Sequence, residues 1–537
     1  MALRSKASIL IASMLVTGSA FASPAPRLTV ETEAFENPVI VTWSDQTATI
    51  PAPRPGKPKK TKPSKRGAVD ALADEESDQP KTALEIAREV GLSDDDRRPD
   101  NQLTVGLFGK PLIIGGQIEG DVRDRGHYNL GRNRQSDQLD ATGQAKLEAI
   151  WLPSDTLIGF ASGRAVGNFA IQSPDGTSDS TAGVALDGFW FLKTRVLGTP
   201  FAIQAGRQRL QDRRKFWWDD DLNMVRVHYF GSKLTAYAGV GTIAVNLSTL
   251  NTISPEERRR VRYLGNASWE WSKRNFFEAF ALHQDNRAAR FDVGDILRRD
   301  RSDDRDAKLT WIGARARGCV KTDVFRRICY WGDLAQVRGT EVRYDLTRLN
   351  TASVTVGKVN VRSVHGSAYD VGVSVELPFK FKPFLTVGLA RGSGDPPATP
   401  GSDGAFRQSG LQANNGKFRG LTRFRYYGEV LRPNLSNIRI STAALGVPVG
   451  KTSWAEFIWH NYRQPFANTR ISGSRLDIEP NGISRELGNE FDVVLSHRPS
   501  AIWEFELTAG GFRANSAFGA QDGKWAGLVE LKIDRNF

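Results

Sequence analysis

The sequence predicts an all-β protein: a transmembrane antiparallel β-barrel of about 18 strands with a mostly disordered N-terminal periplasmic extension. Three observations predict it. First, Trp525 to Phe537 (WAGLVELKIDRNF) alternates apolar and polar side chains up to a terminal phenylalanine. Trp525, Leu531, Ile533 and Phe537 suit lipid, while Glu530, Lys532 and Asp534 suit water, which is the period-2 pattern of a lipid-embedded strand around a polar lumen. Second, Arg4 and Lys6 precede an apolar run from Ile9 to Val16 and the small residues of Ala20-Phe21-Ala22, so residues 1–22 read as a cleaved signal peptide. That run is shorter than the roughly 18 apolar residues of a membrane-spanning helix. Third, no other long apolar run occurs, and only helices and closed sheets satisfy every backbone group in hydrocarbon.

Composition fits this class. Glycine is plentiful (51), methionine scarce (3), and 13 tryptophans and 28 phenylalanines accompany a negative mean hydropathy. Such a balance suits a wet interior with aromatic girdles. Cys319 and Cys329 lie ten residues apart, which in an exported chain points to a local disulfide stapling one turn rather than to a metal site.

Basic residues outnumber acidic ones, 73 to 60. Setting aside Arg4, Lys6 and residues 24–100, with 12 basic and 15 acidic residues, leaves 59 against 45, so the excess belongs to the barrel. Of those 59, 44 are arginines and 15 lysines, a bias suited to bidentate pairing with carboxylate, phosphate or sulfate. Outer-leaflet lipopolysaccharide is one partner with such groups. Nucleic acid is not expected as a partner of an exported barrel.

Along the chain, residues 23–100 read as a periplasmic extension. It holds a Pro/Lys-rich linker (51–66, PAPRPGKPKKTKPSKR), short β-like runs before it, and helical spacing of Leu84, Ile86 and Val90 after it. It is either a flexible arm or a docking peptide for periplasmic export-complex proteins. The barrel domain occupies 101–537. From about Leu112, alternating runs of 9–13 residues are joined in turn by tight and by long polar connections, the asymmetry of short periplasmic turns and long outer loops. Tight turns fall at Pro153–Asp155, Leu197–Thr199, Phe230–Lys233, Ser272–Asn275, Phe379–Phe381, Val447–Gly450 and His497–Ser500, with an eighth bearing the cysteines. Strands then start near residues 112, 142, 156, 186, 201, 222, 234, 263, 276, 308, 328, 368, 384, 437, 452, 487, 501 and 524. The even count puts both ends in the periplasm. Gly392 to Ser436 becomes an extracellular loop, although part of it reads equally well as two more strands.

Alternation also assigns the lumen. Val225, Val227 and Tyr229 form a lipid face, so Arg226 and His228 point inward. By the same rule Arg315 and Arg317 face in opposite Ile312, Ala314 and Ala316, Arg439 faces in opposite Ile438 and Ile440, and Arg123 accompanies Gln117, Glu119 and Asp121. Asp492, Glu504 and Glu506 share the lumen, so each arginine is equally suited to an ion pair with these acids and to substrate contact. Arg207 and Arg209 share parity with outward Phe201 and Ile203. Either they lie beyond the hydrocarbon at the outer rim, or a bulge near Gly206 turns them inward. At mid-membrane on lipid each would cost ~2 to 4 kcal/mol.

Several stretches together resemble the alginate export family of outer-membrane proteins. The most specific is Gly206 to Val227 (GRQRLQDRRKFWWDDDLNMVRV), similar to that family's GRQ-R…D-R…W-D…L-x-x-V-R signature. Ala368–Val373 with Ala390–Asp395, Phe406–Asn437 and Gly488–Phe518 follow in order; residues 24–100 have no counterpart. The resemblance implies a monomeric 18-stranded barrel whose arginine-rich constriction exports an anionic uronic-acid polysaccharide, with loops that can cover the pore. It raises Arg207 and Arg209 as functional positions beside Arg123, Arg226, Arg315, Arg317, Arg439, Asp492 and Glu504. Physically, a polymer with one carboxylate per sugar needs a wet, positive lumen that binds weakly enough to release it. No cofactor is expected. GxSxG and HExxH are absent and the six histidines are scattered, so no enzymatic site is expected either. The alternatives are an anion-selective or general uptake porin for small solutes, and an adhesin or assembly scaffold.

Overall fold

The computed structural model describes residues 82–537 except 93–97, 100–101, 132–136, 174–179, 244–246, 251–252, 287–290, 299–304, 350–352, 397–400, 419 and 422. The expected signal peptide and linker lie outside these residues. Among the described residues, eighteen antiparallel strands close on themselves. They are β1 (Lys110–Gly126), β2 (Gln138–Ser154), β3 (Leu157–Gln172), β4 (Ser180–Lys193), β5 (Phe201–Gln211), β6 (Asp219–Phe230), β7 (Leu234–Thr242), β8 (Arg260–Ser272) and β9 (Asn275–Asn286). Then follow β10 (Arg305–Val320), β11 (Arg327–Arg348), β12 (Ser353–Glu376), β13 (Phe384–Gly392), β14 (Ile438–Val449), β15 (Ser453–Arg463), β16 (Glu486–His497), β17 (Trp503–Ala514) and β18 (Trp525–Asn536). Each pairs with its neighbours in sequence, and β1 pairs with β18 from Gln117↔Asn536 to Gly126↔Gly527. Closure removes every sheet edge, which is what lipid requires. The barrel is an integral outer-membrane fold.

At the seam the Phe537 carbonyl accepts the Gly116 N–H at 2.9 Å. A short strand, Leu103–Leu107, pairs with the start of β1 beyond that point. The eight connections at this end are short, and one is stapled by the Cys319–Cys329 disulfide between directly opposed residues of β10 and β11. The outward face is apolar, with exposed Phe189, Phe191, Ile312, Val387, Phe457 and Phe491. Trp269, Trp271, Phe379, Phe381 and Trp503 crowd the outer face near the short turns, as an interfacial girdle does.

The strands start close to the expected positions with one exception. β12 begins at Ser353 rather than near 368, because its first half pairs with an equally extended β11 from Arg348↔Val354 onward. The outer part of this hairpin stands beyond the hydrocarbon, where alternation no longer tracks lipid.

Candidate functional site

The lumen is where sequence and structure part. Alternation along each strand sends one set of side chains inward, and on β5, β6, β9–β12 and β14–β17 that set joins buried polar groups such as Gln208, Glu278, Asp333 and Glu490 to a contiguous apolar cluster: Leu210, Leu222, Phe280, Leu309, Trp311, Val337, Val364, Ile440, Ile458, Val494 and Phe512 are buried. Water cannot be their neighbour. They are covered by connections that fold back into the bore.

The first is the β5–β6 connection, residues 212–218, the centre (DRRKFWW) of the GRQRLQDRRKFWWDDD motif. Asp212 turns the chain inward by accepting the backbone N–H groups of Arg214, Trp217 and Trp218 at 3.0, 2.8 and 3.0 Å. Its other contact is Arg315 Nη2 at 2.7 Å. Arg315 is fully buried and also meets Asp333 at 2.6 Å and Glu278 at 3.2 Å. Arg214 reaches Asp333 at 3.2 Å and Asp370 at 2.8 Å, sandwiched between the Trp331 and Tyr426 rings. Trp217 stacks on Phe280. The signature is therefore a device that pins a loop to the wall through interlocked charges, and burial demands such pairing.

The second is the long connection from β13 to β14, residues 393–437. Phe406, Leu411, Phe424, Tyr426, Tyr427, Val430, Leu431 and Leu435 are buried and complete the apolar core within the bore. The loop is bound to the first one, since Asp219 and Ala413 donate backbone hydrogen bonds to Leu411 and Lys215 respectively. Across the lumen it is held by β16. The Glu490 carboxylate accepts Val430 N–H at 2.6 Å, Leu431 N–H at 3.0 Å and Tyr462 O–H at 3.0 Å. Tyr427 O–H donates to Asp370. Gly366 lets this loop approach, because a Cβ there would lie 2.5 Å from the Phe406 Cα.

The opposite half of the lumen holds part of the expected extension. Helix α1 (Ala83–Gly91) has a capping box between Thr82 and Glu85 and rests its apolar face on inward Ile113, Ile150, Ile158, Phe160, Trp190, Leu192 and Ala202. A Cβ on Gly91 would be 3.0 Å from both Phe160 and Trp190. Arg98 is buried against Glu148 at 2.6 Å and hydrogen-bonds Asn536. The helix was legible in the sequence; its seat inside the barrel was not.

The arginines sort into four groups. Arg123 faces the lumen and pairs with Glu530 at 2.6 Å. Arg226 is buried, donating to Gln204 at 2.7 Å and lying over Tyr237, with no carboxylate partner among the described residues. Arg315 and Arg317 face inward but are enclosed by Asp212, Asp333 and Glu278. Arg439, Arg207 and Arg209 face outward, which corrects the inward assignment of Arg439 and, for Arg207 and Arg209, selects the outer side over the inward-turning bulge. Ile438 and Ile440, the reference for Arg439, are themselves buried in the lumenal core, so the parity inverts. For β5, inward Gln208 and Leu210 leave Arg207 and Arg209 on the outer side, where they meet the Leu186 carbonyl and Asp219. Gly206 introduces no register shift in the β5–β6 ladder. Among the acids, Asp492 is buried under the Glu429 N–H, and Glu504 pairs with Arg498 at 2.6 Å.

Sequence reasoning missed the loop-borne arginines. Arg425, Arg432 and Arg475 gather near Arg123, four guanidinium groups whose fields overlap, with Glu429, Glu530, Asp121 and Asp140 as the acids around them. Partial desolvation, then Arg432 and Arg425, pull Arg475 down to about 10; burial, then Arg432, lower Arg425 as well. Arg475 has no ion pair among the described residues, and its backbone N–H is tied to Leu431. The available signal was Tyr426, Tyr427, Val430 and Leu431: four large residues between arginines in a loop that had nothing to bury them unless it turned inward.

Residues 157–529 match the alginate export family. The chain belongs to that family. The match includes both infolded connections and excludes α1. The chain is 24% identical over 333 residues to the alginate production protein AlgE of Pseudomonas aeruginosa, covering 60% of this chain and 65% of that protein. To AlgE of Azotobacter vinelandii it is 25% identical over 321 residues, 54% of this chain and 61% of that one. It thus spans just under two thirds of the length of these curated relatives. Among solved structures the chain is similar to OccAB1 of Acinetobacter baumannii (TM-score 0.48, 9% identity, 82% of this chain and 99% of that one) and to a BenF-like porin of Pseudomonas fluorescens Pf-5 (TM-score 0.48, 10% identity, 79% and 98%).

Proposed function

We propose that this barrel is an outer-membrane export channel for an anionic exopolysaccharide, alginate or a similar uronic-acid polymer, and that Arg123, Arg425, Arg432 and Arg475 select it. The observation that carries the reading is their convergence: four guanidinium groups interleaved with carboxylates, one of them, Arg475, without an ion pair among the described residues, borne partly on loops inside a family member's lumen. Excess positive potential draws a polyanion in. Glu429 and Glu530 moderate each contact, so the chain of carboxylates can pass from site to site rather than stick. Arg226, buried beside Gln204 and His228, supplies a further cationic position along the path. Arg315 holds the first loop through Asp212, and Arg317 shares Glu278 with it on the wall. Transport needs no cofactor, being driven by synthesis behind the polymer.

The test is single-channel conductance of the refolded chain in planar bilayers, with reversal potentials and added oligouronates. Anion selectivity with block by acidic but not neutral oligosaccharides, both weakened by Arg425→Gln with Arg475→Gln, is the expected outcome. Channels of low selectivity that ignore the acidic oligomers would sink the reading in favour of a general porin.

A further inference from the structure

Arg391 on β13, Arg439 on β14 and Arg463 on β15 stand directly opposite one another in the ladder, Arg391↔Arg439 and Arg439↔Arg463. All three are exposed, and Gly392, Ile438, Ile440 and Tyr462 beside them are buried, so the arginines line the outside of the wall. Like charges directly opposed across strands destabilise a sheet. Among the described residues a carboxylate reaches this row only at its flank, where Glu486 meets Arg463 at 2.9 Å. A row so arranged calls for an anion supplied from outside the chain.

Position names the source. Below the row on the same outward face lie exposed Val387, Leu385, Leu445 and Phe457, and the turn end of β14 is marked by exposed Val449. Arg439 and Val449 are ten positions apart, roughly 34 Å along a strand and, at a tilt of about 40°, ~26 Å in height. The apolar band of such barrels is ~25 Å tall. The arginines therefore sit at the outer edge of the hydrocarbon, level with the headgroups of the outer leaflet. Adjacent guanidinium planes match phosphate oxygens bidentately, as lysines would not.

We propose that Arg391, Arg439 and Arg463 form a seat for the phosphate groups of a phosphorylated outer-leaflet glycolipid, with its acyl chains lying along Val387, Leu445 and Phe457. The lipid offsets the repulsion within the row and fixes this side of the barrel in the membrane. The site is independent of what passes through the lumen.

The experiment is native mass spectrometry and thermal unfolding of the refolded full chain in detergent micelles, titrated with diphosphoryl lipid A, with dephosphorylated lipid A, and with inorganic phosphate. Wild-type protein is expected to bind diphosphoryl lipid A and to unfold at a higher temperature with it. Binding should weaken at least tenfold in Arg391→Gln/Arg439→Gln/Arg463→Gln but not in Arg195→Gln/Lys380→Gln/Lys451→Gln at the opposite end. Without lipid, the first variant should be at least as heat-stable as wild type, because it removes like-charge neighbours. The single change Arg439→Gln provides the same comparison with less perturbation. Equal binding by wild type and variant, equal binding of dephosphorylated lipid A, or the same stabilisation by inorganic phosphate alone would each overturn the proposal.

Discussion

Asp212 and Arg315 meet at 2.7 Å inside the barrel, and through that contact a seven-residue connection is fastened to a strand more than a hundred positions away. The same carboxylate accepts three backbone N–H groups of its own loop. Removing one partner of a buried pair costs on the order of 3–5 kcal/mol. Arg315 retains Asp333 and Glu278, so Asp212→Ala is expected near the lower end of that range. The temperature at which the folded band is lost in heat-modifiability gels should fall, and Trp217 fluorescence should shift to longer wavelength. An unchanged transition would mean that Asp212 is dispensable to the loop.

Glu490 is the latch of the long loop. Replacing it with alanine leaves the N–H groups of Val430 and Leu431 without their acceptor, while the Tyr462 hydroxyl keeps the Tyr427 carbonyl; each unsatisfied buried group costs about 1–3 kcal/mol. Glu490→Ala should raise mean conductance and add open-state flicker, with Glu490→Gln between the two. Identical conductance in all three proteins would show that β16 does not restrain the loop.

The arginine cluster carries a pH signature. Arg475 loses its proton near about 10, earlier than an ordinary arginine. A lowered folded-state value means that mutual repulsion is fully present below about 10 and is relieved as pH rises past it. Anion selectivity should therefore hold steady from neutral pH to about 9 and decline above it, and that decline should be blunted in Arg475→Gln. Selectivity flat to pH 11 in the wild type would contradict the assignment.

Helix α1 offers a fourth test. Ala87 is buried on the wall patch, so Ala87→Glu would press a carboxylate into that apolar cluster, where an unpaired charge is not tolerated. The helix should leave the wall. Protease added from the turn side should then cleave between Thr82 and Gln102, and conductance should rise. Protection equal to wild type would show that the helix keeps its seat by other contacts.

These sites show what a sequence can and cannot reveal about a barrel. Strand number, turns and the disulfide were legible, because alternation and turn chemistry are local. The direction of Arg123, Arg226 and Arg315 was legible too, since their outward neighbours do face lipid. Arg439 failed for a physical reason: an isoleucine facing hydrocarbon and one facing a dry lumenal core have the same period and the same hydrophobicity. The infolding of residues 393–437 was hidden likewise, because its apolar residues read as strand. Helix α1 could be recognised from Leu84, Ile86 and Val90, but its surface of rest is assembled from five strands and has no local trace.

In the proposed channel, the apolar cluster within the bore would make opening a partial melting rather than the swing of a rigid lid. Withdrawing Phe406, Tyr426, Leu431 and their neighbours from the wall would wet surface that the closed state keeps dry, and hydrating apolar surface raises the heat capacity. The balance between shut and open is then curved in temperature. Closure is firmest at intermediate temperature and loosens both on warming and on cooling. A cell bearing this barrel would experience a change of growth temperature directly as a change in how much of its outer surface is permeable.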